Sequence, residues 1–257
     1  MNNKSNDSPR RIKLTIAYDG TNYFGWQVQR SALSIQTLVQ SSLERILRHP
    51  ISLTGAGRTD AGVHAEGQTA HFDTSVPLSL ARIRLSANAL LPPDIRILNA
   101  EEVPSDFHAR YSAQGKIYHY YLTTAPDPTT RLYRTPIFGT FDMDALKIAS
   151  LSFLGTHDFA AFANSAHKGT AAHDSIRTLS RLDLYEQDGS YRLEFEGDGF
   201  LYKMVRNITG TLLEVARGQR CPKSIPALIA GRDRKQAGPT APPQGLFLMR
   251  VLYRPKK

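Results

Sequence analysis

Apolar and polar residues in the first part of the chain follow strand and helix spacings in turn. Lys13–Tyr18 alternates as a half-buried strand does. Over 34–48 and again over about 79–91, apolar residues recur every three or four positions, which predicts two amphipathic helices. Thr37 with Gln40 is a candidate capping box near the start of the first helix. Between the helices, a glycine-rich stretch is predicted to form a tight loop that joins two strands.

The second part of the chain shows the same two spacings. Tyr118, Tyr120 and Leu122 fall on one face of a predicted strand, because side chains alternate along it. A helix over 142–154, a hairpin that turns at Asp188-Gly189, a helix over 201–217 and a final strand over Leu246–Tyr253 follow in order.

Two successive units of mainly antiparallel strands with covering helices follow from this pattern, so the predicted fold class is α+β. The first unit is expected to end near Ser112. We therefore predict an N-terminal α+β domain over 11–112 and a C-terminal α+β domain over 113–257, with an active-site cleft between them. Residues 1–10 are polar and basic, and are predicted to form a short disordered arm.

The charge balance indicates a polyanionic partner. Lysine and arginine number 32 against 23 aspartate and glutamate residues in the 257-residue chain, a net charge of +9. Nucleic acid is favoured as the partner, because neutralising phosphates supplies much of such binding. A soluble protein that is basic for other reasons is the alternative.

Several classes of site are excluded or disfavoured. The single cysteine, Cys221, excludes an intramolecular disulfide and a cysteine-rich metal site. The histidines show no metal-ligand spacing, so no metal is expected. No apolar run is long enough to span a membrane, and the first residues lack the apolar core of a secretory signal. We therefore expect a cytoplasmic protein with no membrane partner.

The most unusual stretch is LTGAGRTDAGVHAEGQTAH over 53–71, in which three glycines surround Arg58 and Asp60. Glycine permits backbone angles and close approaches that a Cβ would block. The stretch lacks the Gly-Lys-Ser/Thr ending of a P-loop, and its glycine spacing is not that of a dinucleotide fingerprint. Asp60 is therefore a candidate functional carboxylate, with the capping of a turn as the plainer alternative.

GRTDAGVHA resembles the signature of the tRNA pseudouridine synthase A family, in which the aspartate is catalytic. The stretches YDG, FHAR, KxYxY, MVRNITGTLLEVARG and GLFLMRVLY extend the resemblance over nearly the whole chain. It implies a pseudouridine synthase-like fold and the conversion of uridine to pseudouridine at positions 38 to 40 of the tRNA anticodon stem-loop. One covalently bound isomer becomes another, so no cofactor, metal or energy source is implied. The resemblance also implies a homodimer.

The same resemblance assigns roles to residues that match the motifs. Asp60 is expected to be the catalytic residue, as a nucleophile or as a group that takes a proton and stabilises positive charge on the sugar. Arg206 is expected to be the basic partner of that carboxylate. Arg58 is expected to take part in flipping the target base out of the RNA stack.

Further residues are expected to contact the substrate. Tyr118 resembles the tyrosine that packs on the extracted uracil, and Leu246 the apolar residue that closes the pocket wall. Arg110 resembles an RNA contact. Lys168 and Arg177 lie in a region that the family uses for tRNA contact, but the motif match there is weak, so they are only candidate contacts.

Two functions other than a synthase are compatible with parts of this sequence. A non-catalytic RNA-binding protein, such as an RNA chaperone, would use the same charge and aromatic residues, but it has no need for the Arg58–Asp60 loop. A hydrolase that cleaves a nucleoside glycosidic bond often uses paired carboxylates, and only Glu66 and Asp73 lie near Asp60 in the sequence. The synthase interpretation accounts for more of the chain than either.

Overall fold

The computed structural model describes residues 9–164, 174–187 and 189–254. The chain divides into two compact units, 1–113 with 248–257 and 114–247. By this division residues 248–254 group with the first unit, whereas the sequence predicted a single C-terminal domain over 113–257. Residues 1–8 of the predicted arm lie outside the described residues, and Arg10, also assigned to that arm, begins a strand.

The first unit is built around its first strand. This strand pairs antiparallel with the strands on either side of it, and its alternate residues Ile12, Leu14 and Ile16 are fully buried. The elements are β1 Arg10–Tyr18, α1 Ile35–Leu47, β2 Thr54–Gly55, β3 His64–Thr74, α2 Leu80–Leu90, β4 Ile95–Val103 and, from residue 248 onward, β10 Leu246–Tyr253. The strand order is β4-β1-β3-β10.

Serine caps begin both helices of the first unit. The Ser34 side chain accepts a hydrogen bond from the backbone N–H of Thr37, and Ser79 does the same for Arg82. The predicted capping box of Thr37 and Gln40 is therefore wrong, and Gln40 instead donates to Glu44 one turn later. The helix starts at Ile35, directly after Ser34, and serine is preferred over threonine at the N-cap position.

The second unit is also a mostly antiparallel sheet with helices. Its strand order is β5-β9-β8-β7, with one short parallel pairing between β5 and β6. β8 and β9 pair up to Gln187 and Ser190, as the predicted hairpin requires. The elements are β5 Ala113–Thr123, β6 Thr135–Pro136, α3 Met143–Leu151, β7 Gly155–Asp158, β8 Ile176–Gln187, β9 Ser190–Gly197, α4 Met204–Ala216 and α5 Ile225–Gly231.

The predicted α+β class is confirmed, with corrections at element ends. α4 begins three residues later than predicted because Lys203 has a left-handed backbone (φ 62°) and starts the helix at Met204. Sequence reasoning missed α5. None of the helices in the described ranges is both long and apolar enough to cross a membrane.

Candidate active site

Asp60 and Arg58 lie together on the loop that connects β2 to β3 in the first unit. Asp60 is part-buried, whereas Arg58 is exposed. The backbone carbonyl of Asp60 accepts a hydrogen bond from Val63 N at 3.2 Å, and Gly62 turns the chain with a φ of 76°. The loop thus reverses within three residues and presents a carboxylate and a guanidinium two positions apart.

The residue before Asp60 is held by buried hydrogen bonds. Thr59 Oγ1 lies 2.8 Å from the hydroxyl of Tyr18 on β1, and both side chains are buried. The Trp26 backbone N–H donates to Thr59 O at 3.2 Å, and the amide of Gln68 donates to Gly57 O at 3.0 Å. Burial raises the pKa of the Tyr18 phenol, so the hydroxyl stays protonated. These bonds hold the backbone on the N-terminal side of Asp60.

A second glycine, outside the loop, allows this arrangement. Gly25 has a φ of 82°, and a Cβ there would come within 2.2 Å of Thr59 O and 2.9 Å of Asp60 C. Only a residue without a side chain can approach the Asp60 backbone so closely. Sequence reasoning gave Gly25, Tyr18 and Gln68 no role. The available signal is the position of Gly25, five residues after the glycine of the YDG motif.

Arg110, the third predicted site residue of the first unit, is exposed and lies in the turn between β4 and β5. Its backbone N–H donates to His108 Nδ1 at 3.1 Å, which fixes the backbone while the guanidinium faces solvent. Such an arginine is suited to meet a phosphate without loss of internal contacts.

In the second unit, Tyr118 lies on β5 and is buried, as are Tyr120 and Leu122 on the same face. The Tyr118 ring meets that of Phe200 edge to face, with the centroids 5.0 Å apart. Leu246 is the first residue of β10 and is also buried. Both side chains are therefore buried and do not form part of the solvent-facing surface.

Arg206 lies in the first turn of α4 and is part-buried. Its Nε donates to Ala241 O at 2.7 Å, and Ala241 N donates to the Arg206 carbonyl at 3.0 Å. The neighbouring Asn207 is fully buried, and its amide donates to Phe162 O at 2.7 Å. The guanidinium is thus oriented by the segment before β10 and is not the solvated arginine of an outer helix face.

The close approach of that segment again depends on glycine. A Cβ at Gly210, one turn further along α4, would lie 1.7 Å from Pro239 O. The segment that holds Arg206 can therefore rest on the helix only because position 210 has no side chain.

Of the two candidate RNA contacts Lys168 and Arg177, only Arg177 lies within the described residues. Lys168 lies outside the described residues. Arg177 is part-buried on β8; its guanidinium contacts Ile176 O, and one of its nitrogens lies 3.6 Å from a carboxylate oxygen of Asp174. Arg177 therefore has internal partners, which an RNA phosphate would have to replace or share.

The site residues divide between the units as follows: Arg58, Asp60 and Arg110 belong to the first, and Tyr118, Arg177, Arg206 and Leu246 to the second. Within the described parts of the chain, no three His, Cys, Asp or Glu side chains come together as metal ligands. The chemistry available on the first unit is that of a carboxylate on a rigid loop, which can attack an electrophilic carbon or stabilise positive charge.

Comparison with known proteins gives a consistent result. A family model described as tRNA pseudouridine synthase matches residues 14–112 and 149–254. The chain is 53% identical over 244 residues to tRNA pseudouridine synthase A 1 of Protochlamydia amoebophila, covering 94% of this chain and 95% of the relative. It is 44% identical over 246 residues to tRNA pseudouridine synthase A of Acetivibrio thermocellus, covering 95% and 100%.

Among solved structures, the archaeal box H/ACA sRNP Nop10-Cbf5 complex gives a TM-score of 0.35 at 14% identity, covering 79% of this chain and 44% of that one, too low to bear on fold or function. The family model covers both the loop of Asp60 and the helix of Arg206, and the two relatives match nearly the whole chain. The chain belongs to the tRNA pseudouridine synthase family and is an isomerase that converts uridine to pseudouridine.

Proposed function

We propose that this synthase modifies uridines at positions 38 to 40 of the tRNA anticodon stem-loop, with Asp60 as its catalytic residue. The observation that carries the proposal is Asp60 itself, a part-buried carboxylate within GRTDAGVHA on a loop clamped by Tyr18, Trp26 and Gln68. A loop that only turned the chain would not need a buried tyrosine hydroxyl and a side-chain-free contact to fix its backbone.

The reaction breaks the bond between ribose C1′ and uracil N1 and joins C1′ to uracil C5. The hydrogen on C5 leaves as a proton, and N1 gains one, so the product is an isomer of the substrate. Asp60 either attacks covalently or stabilises the positive charge that develops on the sugar. Both routes require an ionised carboxylate, and the proposal includes both of them.

The remaining residues are proposed to bind the substrate. Tyr118 packs on the extracted uracil, because an aromatic face stacks on a base at about 1–3 kcal/mol. Leu246 supplies apolar wall, which suits its burial at the start of β10. Arg58 holds the RNA during base flipping, and its exposure on the Asp60 loop supports this role.

Two arginines complete the proposal for substrate binding. Arg206 is the basic partner of the catalytic carboxylate, and the hydrogen bond from its Nε to Ala241 O gives it one orientation. Arg110 contacts a phosphate, as its exposed guanidinium allows. Lys168 and Arg177 are proposed as further RNA contacts on the resemblance alone. We also propose a homodimer on the same basis, and a cytoplasmic location as the sequence analysis predicts without the resemblance.

The test is tritium release from bulk tRNA labelled at uracil C5. One tritium should enter water for each uridine converted, and no free uracil should form. Mapping pseudouridine in a single tRNA, with an otherwise identical tRNA carrying cytidine at positions 38 to 40, then tests the position. Release that persists with the cytidine tRNA would contradict the proposed position while leaving the activity intact.

A further inference from the structure

The turn from Phe107 to Ser112 is held at nearly every backbone group. Ala109 N donates to His71 Nδ1 on β3 at 3.1 Å, and the hydroxyl of Tyr253 donates to Ala109 O at 2.6 Å. An Arg11 nitrogen donates to Phe107 O at 2.8 Å. Ser112 N donates to His108 O, and Ser112 Oγ accepts from His108 N, both at 2.9 Å. The turn is therefore a rigid feature of the first unit.

This rigid turn carries an exposed aromatic ring. Tyr111 is 77% exposed, more than any other large apolar or aromatic residue in the described chain. Its ring centroid lies 4.4 Å from that of His108, and the Arg110 guanidinium carbon lies 5.7 Å from the Tyr111 centroid. The ring adds nothing to the core, yet its surroundings restrict where it points.

His108 locks the backbone beneath the ring. Its Nδ1 accepts from Arg110 N at 3.1 Å and from Tyr111 N at 3.2 Å, so this nitrogen carries no proton. Burial, with the nearby Arg11 and Arg110 charges, lowers the pKa of His108, which agrees with a neutral ring. The result is a neutral imidazole against a tyrosine, with a cation beside it.

We propose that Tyr111 is a stacking platform for an unpaired base of the substrate tRNA, while Arg110 meets an adjacent phosphate. The proposal rests on the proposed function, which supplies tRNA as substrate, and adds a contact residue that neither the motifs nor the resemblance assigned. An exposed aromatic ring beside an arginine is the combination that single-stranded RNA binders use. Because the platform is already rigid, little conformational entropy is lost when a base stacks on it.

The position of the platform suits a contact remote from the reacting base. His71, which holds the turn, lies on β3 three residues beyond Gln68, which holds the Asp60 loop. A strand rises about 3.3 Å per residue, so the two anchors lie about 10 Å apart along β3. This is a small part of the length of an RNA stem-loop, and the odd spacing places the two anchoring side chains on opposite faces of β3.

A second protein copy suits this surface less well. A stable interface buries about 800 Å² on each partner, whereas one aromatic side chain buries about 150–250 Å². Arg110 and the net charge of +9 favour a polyanion. We therefore assign the surface to RNA and treat self-association as an outcome that would overturn the assignment.

The experiment measures the dissociation constant of bulk tRNA for wild type, Tyr111→Ala and Tyr111→Trp. Loss of stacking should weaken binding by about tenfold in Tyr111→Ala, and tryptophan should restore it to within about threefold of wild type. The matched control is Tyr185→Ala, since Tyr185 is also exposed and has an arginine, Arg192, 4.9 Å from its ring. That control should bind as wild type does.

A salt series separates stacking from charge. Tyr111→Ala should weaken binding at every salt concentration with the slope unchanged, because stacking releases no counterion. Arg110→Ala should reduce the slope by about one. In steady state, the loss in Tyr111→Ala should fall mainly on KM and less on kcat, with the melting temperature unaltered.

Two outcomes would overturn the proposal that Tyr111 is a stacking platform. One is wild-type affinity in Tyr111→Ala, and the other is a change of oligomeric state in sedimentation, which would give the surface to a second copy. Both are distinct from failure of the proposed function, because that failure would show as absent tritium release, or release from the cytidine tRNA, in the wild type itself.

Discussion

The two charged residues central to the proposed chemistry are held in opposite kinds of structure. Asp60 lies on an irregular loop of the first unit, and Arg206 lies in the first turn of a helix in the second. Each nevertheless depends on a glycine elsewhere that permits backbone contact: Gly25 against Thr59 O, and Gly210 against Pro239 O. In both places a close main-chain approach, and not a side-chain contact alone, sets the position.

Asp60 and Arg206 differ in the other contacts that fix their positions. The Asp60 loop is bonded by Tyr18, Trp26 and Gln68, which come from three separate segments. The backbone of Arg206 belongs to α4, and the segment before β10 bonds both its carbonyl and its guanidinium. Precision in a loop therefore comes from distant residues, whereas precision in a helix is largely local. Single changes away from the site should harm Asp60 more than Arg206.

The largest effect is expected for Asp60→Asn, which keeps the shape and removes the charge. Activity should fall by about a thousandfold or more, because the covalent or electrostatic role is lost. Tritium release from labelled tRNA measures it, and tRNA affinity should remain close to that of wild type. Near-normal release would remove Asp60 from the chemistry.

Gly25→Ala tests the claim that a distant residue positions the loop. The new Cβ would lie 2.2 Å from Thr59 O, so Thr59 and Asp60 must shift, and kcat should fall by about a hundredfold. The matched control is Gly139→Ala: Gly139 also has a positive φ, 93°, but no atom lies within 4 Å of its Cβ position.

Both glycine variants suffer the same kind of backbone strain, so a difference in kcat between them reports the displacement of the loop. Equal kcat values, compared at equal folded fraction, would mean that Gly25 contributes only to stability.

Arg206→Ala should lower kcat by about tenfold to a hundredfold, which corresponds to one charged hydrogen bond of about 1.5–3 kcal/mol. Affinity for tRNA should change little, since the residue is proposed to support the carboxylate. Single-turnover rates and binding constants, measured together, check this. Lost affinity with an unchanged single-turnover rate would instead identify Arg206 as an RNA contact.

The smallest expected effect is on stability in acid and compares one histidine in each unit. Burial, then the charges of His108 and Arg11, lowers the pKa of His71 from 6.5 to about 4. Between these values the unfolded chain binds the proton and the folded chain does not, so stability falls as the pH falls from 6.5 towards 4. The slope is at most about 1.4 kcal/mol per pH unit.

His71→Gln should flatten this slope. His119 of the second unit also has a lowered pKa, chiefly through burial, but Glu194 lies 3.3 Å away and favours its charged form, so His119→Gln should flatten the slope less. Urea unfolding midpoints between pH 7.5 and 4.5 compare the two variants. A steeper dependence of stability on pH in His71→Gln than in wild type would contradict the prediction that His71 destabilises the folded protein in acid.

Much of the fold could be read from the sequence because the information is local. The apolar spacing gave α1, α2 and the face of β5 that carries Tyr118, since periodicity depends only on which residues neighbour one another along the chain. It also gave the final strand with its observed bounds. The candidate catalytic residue Asp60 could also be identified from local sequence, because the whole GRTDAGVHA motif lies in one short stretch.

What the tertiary structure decided involves residues far apart in sequence. The return of the last strand to the first unit, the role of Gly25 and the clamp from Tyr18 to Thr59 each join segments separated by tens of residues or more. The rigid turn beneath Tyr111 likewise depends on His71 and Tyr253. Spacing along the chain reports which face of an element is apolar, but a hydrogen bond or a close backbone approach forms only when packing brings two segments together.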